Sequence, residues 1–160
     1  RMMHLVAEGL TTQMDYPVYM QGQMSKRIIL EKFTRHGNAV LLGTASFWEG
    51  VDVRGSTLSC VIIDKLPFAA PDDPLLQAKM QDCQMQGKDP FAHIQLPQAV
   101  IALKQGVGRL IRDNKDKGVL VICDNRLVTR QYGQVFLKSL PPMRRTRSLE
   151  DANTFLKHIN

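Results

Sequence analysis

The chain has 160 residues, 44% of them hydrophobic and 22% charged, which is the balance of a soluble globular protein long enough for one domain with its own core. Its 21 basic and 15 acidic residues give a net charge of +6, compatible with a polyanionic partner without requiring one. No apolar stretch reaches membrane-spanning length and no signal-peptide pattern is present, which argues against membrane or secretory readings and for a cytoplasmic one.

Met2, Met3, Leu5, Val6 and Leu10 recur at helical spacing and predict an amphipathic helix over residues 2–14. Arg1 is not a natural start and the chain opens partway into this helix, so it reads as part of a longer protein. Val18 to Met20 reads as a short strand closed by Gly22. A second helix follows Ser25, carries Ile28, Ile29, Leu30 and Phe33, and stops at Gly37. Residues 39–44, 58–64 and 118–124 are apolar runs of strand length without clean alternation, as expected of strands covered on both faces. Helical segments are expected near 73–86, 97–112 and 127–140. This order predicts an α/β fold with a mainly parallel sheet and helices on both faces.

The tail differs. Pro141 and Pro142 stop the preceding helix, and Arg144, Arg145 and Arg147 form a basic run. Ser148 with Asp151 makes a near-capping box before a helix whose apolar stripe is Ala152, Phe155, Leu156 and Ile159. The expected organisation is residues 1–140 as one lobe and 141–160 as a basic tail with a short amphipathic helix.

Two segments carry chemistry. Residues 43–52 (GTASFWEGVD) follow an apolar strand and place Glu49 and Asp52 around Gly50 at its carboxyl end, where open α/β sheets bind ligands. Small residues there allow close approach of a backbone or a phosphate; an ordinary capped turn is the plain alternative. Residues 105–112 (QGVGRLIR) put Arg109 and Arg112 three apart on an expected helix, pointing the same way. A fixed guanidinium fork suits phosphate oxygens, and an arginine finger contributes about 10³–10⁵ in phosphoryl-transfer rate. For a bare pair of arginines a solvated basic face would suffice, but QxxGRxxR is more specific.

QxxGRxxR resembles motif VI of superfamily 2 helicases. SFWEGVD resembles motif V of the XPD/DinG branch, and residues 65–74 (KLPFAAPDDP) resemble a KLPF signature of that branch. Together the three cover roughly residues 39–130. The resemblance implies the second, RecA-like three-layer lobe of an ATP-dependent DNA helicase moving 5′ to 3′ on single-stranded DNA in replication and repair. It implies that Gln105, Gly108, Arg109 and Arg112 face ATP and magnesium held mainly by a first lobe, with Arg112 as the finger and Arg109 supporting it. Glu49 and Asp52 would sit at the lobe–lobe cleft, and Gly43, Thr44, Ser46, Trp48 and Lys65 along the DNA. The resemblance also implies a strand before the first helix, which is expected to lie outside this chain.

The phosphate loop GxxxxGKS/T, an acidic DEAH-type motif and the four cysteines of the family's iron–sulfur cluster are absent; the resemblance places all three in the first lobe. Alone, the chain is expected to bind neither ATP with magnesium nor an iron–sulfur cluster, and not to hydrolyse ATP. Cys60, Cys83 and Cys123 lack metal spacing and read as buried thiols. The four histidines lack it too and read as surface residues. Phe47 and Trp48 suit either base stacking or core packing. Lys65 and Phe68 read as solvated and buried, and the methionine-rich start as core. The tail suits a docking site; the resemblance implies the chi subunit of the replicative clamp loader, with Arg144, Arg145, Thr146, Arg147, Phe155 and Leu156 as contacts. An interaction module displaying this tail is the alternative to the motor lobe.

Overall fold

A computed structural model describes residues 2–48, 57–112 and 115–159. In chain order they form α1 (Met2–Gln13), β1 (Val18–Met20), α2 (Lys26–His36), β2 (Val40–Leu42), a 3₁₀ turn (Ala45–Trp48) and β3 (Cys60–Ile63). There follow α3 (Pro74–Met85), a π turn (Phe91–Gln95), α4 (Leu96–Val107), β4 (Val119–Ile122), α5 (Arg126–Thr129), α6 (Gly133–Ser139) and α7 (Leu149–Ile159).

The class is α/β with short parallel strands, consistent with a RecA-like lobe. Among the described residues the sheet is in two parallel pairs rather than one. β1 pairs with β2, Val18 opposite Val40, and β3 pairs with β4, Cys60 opposite Val119. Each pair is joined through helices, as a parallel connection requires. Coverage on both faces is incomplete, since Ile62 in β3 is 67% exposed.

Each pair has its own core. Ile29 and Phe33 of α2 bury with Phe47 against Tyr19 and Leu41. Ile63, Leu66, Ala99, Leu103, Val107, Leu127 and Phe136 form the other core, between the β3–β4 pair and helices α4 and α6. Burying each large side chain there contributes about 1.5–3 kcal/mol.

The helix ends follow from the chemistry of the caps. Asp73 accepts from the amide of Leu76 at 2.9 Å with Pro74 in the first turn of α3. Gly37 ends α2 at φ 79°, which a side chain would resist. The segment expected as one helix over 127–140 is instead α5 and α6. A Cβ on Gly133 would lie 2.0 Å from the Leu127 carbonyl oxygen, so the break rests on a glycine.

The amino-terminal helix corrects the expectation of a methionine core. Met3, Ala7 and Leu10 form its half-buried face and α1 packs on β1, while Met2 (64%), Leu5 and Val6 are exposed. Of the other methionines, Met20 is buried and Met24 packs on the α2 core. Among the described residues no helix is long and apolar enough to cross a membrane.

Candidate nucleotide and DNA interface

The segment 105–112 leaves the helix earlier than its spacing predicts. α4 ends at Val107 with Gly108 as its cap, and the Arg109 and Leu110 amides donate to the Gly106 and Val107 carbonyls in a tightening turn. Arg109 and Arg112 therefore lie beyond the helix rather than on one of its faces. Gln105, Gly108 and Arg112 are exposed, while Arg109 is half-buried with its Nε buried and without a hydrogen-bond partner among the described residues. A buried donor without an acceptor costs about 1–3 kcal/mol. The Arg112 amide donates to the Asp116 carboxylate at 2.8 Å, so the chain just past α4 is held by its side chain–backbone bond.

The loop after β2 packs on α4 through the 3₁₀ turn, bringing the two motif-bearing segments together. Phe47 is buried in the α2 core, with the Lys26 ammonium 5.1 Å from its ring centre, so packing and not base stacking accounts for it. A Cβ on Gly43 would meet the Phe47 side chain at 3.0 Å; this glycine makes room for the protein's own aromatic ring. Thr44 is exposed, and both its amide and its hydroxyl donate to Gln21 Oε1, at 2.9 and 3.0 Å. Ser46 and Trp48 take backbone positions in the 3₁₀ turn. Glu49 and Asp52 lie outside the described residues.

Lys65 is exposed and Leu66 buried. Phe68 stacks on Phe91 and meets Tyr132 and Phe136 edge-on, all at 5.8 Å. The segment is held by Asp124, which accepts from the Leu66 amide at 2.9 Å, from the Arg126 amide, and from the Arg126 guanidinium at 2.6 Å. The Arg126 hydrogen bonds hold the Asp124 carboxyl well below the usual carboxylate range against the opposing effect of burial. The same bonds raise Arg126 further, and its guanidinium lies 5.4 Å from the Phe68 ring centre. Asp124, Arg126, Asp116 and Gln21 were not singled out from sequence. A carboxylate closing an apolar strand two residues before an arginine is the signal available for the first pair.

In the tail, α7 packs on β4 with Ala152, Leu156 and Ile159 half-buried, while Phe155 is exposed. Ser148 Oγ accepts from the Asp151 amide at 3.1 Å, one half of a capping box. The other half is replaced: Thr146 Oγ1 donates to Asp151 at 2.7 Å and accepts from the Ser148 amide. Arg145 donates to the Leu137 carbonyl at 3.0 Å, tying the tail to α6. Arg144 stands 4.0 Å from Asp151 and is 88% exposed; Arg147 is exposed as well.

The cysteines do not fit an iron–sulfur cluster, whose iron ions take four thiolates. The chain has three, and among the described residues no group of metal-ligating side chains forms. Cys83 is buried, Cys60 half-buried with burial pushing its thiol up, and Cys123 exposed, against the expectation of a buried thiol there. The exposed donors of Gln105 and Arg112, in contrast, fit phosphate oxygens.

The model of the helicase C-terminal domain matches residues 1–143. The chain belongs to the helicase C-terminal domain family. It is 63% identical to the ATP-dependent DNA helicase YoaA of Escherichia coli over 97% of its length and 24% of the relative's. It is 57% identical to YoaA of Haemophilus influenzae over 98% of its length and 24% of the relative's. The ATP-dependent helicase DinG of Mycobacterium tuberculosis is 38% identical over 95% of the chain and 23% of its own length. This helicase C-terminal domain thus spans about a quarter of the length of the curated relatives it matches.

Proposed function

We propose that the chain is the second motor lobe of an ATP-dependent DNA helicase of the XPD/DinG type, moving 5′ to 3′ on single-stranded DNA in replication and repair in the cytoplasm. Arg112 is the finger on the γ-phosphate, Arg109 supports it, and Gln105 and Gly108 line the cleft. The observation that carries this reading is the end of α4: Gln105 and Arg112 are exposed there, with a half-buried Arg109 whose Nε has no acceptor among the described residues. ATP with magnesium supplies the transferable phosphoryl group when held by a first lobe. This chain's part is to approach that phosphate with donors already positioned, where they stabilise developing charge without reorganising. Glu49 and Asp52 complete the cleft; Gly43, Thr44, Ser46, Trp48 and Lys65 border the DNA. The iron–sulfur cluster of such helicases is assigned outside this chain.

In the two-lobe protein, Arg112→Ala should lower DNA-stimulated ATP turnover by about 10³ or more while a fluorescent ATP analogue still binds. Turnover within a few-fold of wild type would overturn the finger.

A second role is favoured by the exposed side chains of the tail, where Phe155 is 45% exposed and Arg144 and Arg147 are exposed as well. On this reading the tail docks on the chi subunit of the replicative clamp loader, Phe155 and the arginines making contact. Arg145, Thr146 and Leu156 fix its shape by their bonds and packing. Phe155→Ala should abolish co-elution with chi and leave DNA-stimulated ATP turnover unchanged; co-elution at wild-type strength would remove this role.

A further inference from the structure

At the carboxyl edge of the β1–β2 pair the hydrogen bonding assigns its donors unexpectedly. Gln21 follows β1, Thr44 follows β2, and 23 residues separate them. A backbone amide can only donate, so the carboxamide atom facing the Thr44 N–H is the oxygen, and the side chain's orientation is fixed. The Thr44 hydroxyl donates to the same oxygen, since Oε1 can only accept. Both Thr44 hydrogens are therefore directed at Gln21. A phosphodiester oxygen also only accepts, so the hydrogens that Thr44 directs at Gln21 do not serve it.

The Gln21 NH₂ group can. It makes no hydrogen bond among the described residues and carries two hydrogens directed away from Thr44. The neighbouring Gly22 adds no side chain beside it and is exposed. Lys26 lies over the Phe47 ring of the neighbouring 3₁₀ turn, 5.1 Å from its centre. Half-buried and held by two bonds, Gln21 has little side-chain freedom left to lose on binding.

We infer that Gln21 donates from Nε2 to a phosphodiester oxygen of the single strand, with Thr44 acting as the positioning residue that turns its amide outward. This rests on the motor-lobe reading above and names a DNA contact that the sequence motifs do not include.

The test measures binding of a fluorescein-labelled oligothymidylate to the two-lobe protein by anisotropy, across a salt series. Gln21→Glu keeps both bonds from Thr44, so it preserves the loop, but it replaces the NH₂ donor with an anionic oxygen. Its affinity should fall by about tenfold or more, with the ATP analogue still binding and the melting temperature unchanged. Gln21→Ala should weaken binding less and keep the wild-type salt slope, because a neutral donor releases no counterion. Wild-type affinity in Gln21→Glu would overturn the inference while leaving the motor-lobe reading intact. So would parallel loss of DNA binding, ATP binding and thermal stability in both variants, which marks a structural staple. If the wild-type protein bound the oligothymidylate without salt dependence, the motor-lobe reading would fall and this inference with it.

Discussion

Asp124 ends β4 and holds two segments at once, the amide of Leu66 after β3 and the backbone and guanidinium of Arg126. Its side chain is 5% exposed and that of Arg126 is 40%, so solvent screens part of the ion pair but little of the amide bonds. Asp124→Asn should therefore cost about 1–2 kcal/mol at neutral pH, read from urea unfolding. The sign of the pH dependence follows from a carboxyl held below its ordinary range in the folded state. Its contribution is complete above the unfolded value of about 4 and is lost as pH falls toward the depressed folded value. Wild type and Asp124→Asn should accordingly differ at pH 7 and converge in acid. A difference that stays constant down to pH 2 would assign the stability to packing of the segment instead of to the charge.

Among the elements, the α5–α6 corner depends on one missing side chain. Gly133 is buried and its Cβ position falls 2.0 Å from the Leu127 carbonyl oxygen, a backbone atom that cannot swing aside. Gly133→Ala must open the corner and displace Phe136, which is fully buried in the β3–β4 core. A loss of about 2–4 kcal/mol is expected from thermal or urea unfolding, in the range of core disruption. An unchanged melting temperature would mean that α6 rotates freely. The apolar run 127–140 did not reveal this break, because helical periodicity is preserved across it. The same ambiguity hid the end of α4: three-residue spacing of Arg109 and Arg112 fits a helix face and a tightening turn equally. What was legible were the strands' positions, the stop of α2 at Gly37, and the three motif segments that point to the family, all of which depend on local residue order. Gln21 was not legible, since its role comes from a partner 23 residues away across a parallel pair. Phe47 was legible only as a choice between two roles, and its burial resolves it.

At the scale of the whole molecule, the tail is joined to the lobe by a small interface whose parts can be separated. Arg145 reaches the Leu137 carbonyl, and α7 lays Ala152, Leu156 and Ile159 on the side of β4. No residue of α7 is fully buried, so its docking rests on partly covered apolar surface and one exposed hydrogen bond. Half-covered Leu156 and Ile159 each contribute about 1 kcal/mol on this footing, well short of what holds the two cores. The tail helix should then open locally without unfolding of the lobe. Leu156→Asp places a charge on the docked face and leaves the Ser148 cap and the Thr146–Asp151 bond untouched. Amide exchange across 149–159 should quicken by about tenfold, with exchange in α4 and β4 unaltered. Equal acceleration in α4 would show that the tail is part of the cooperative core and that lobe and tail fold as one.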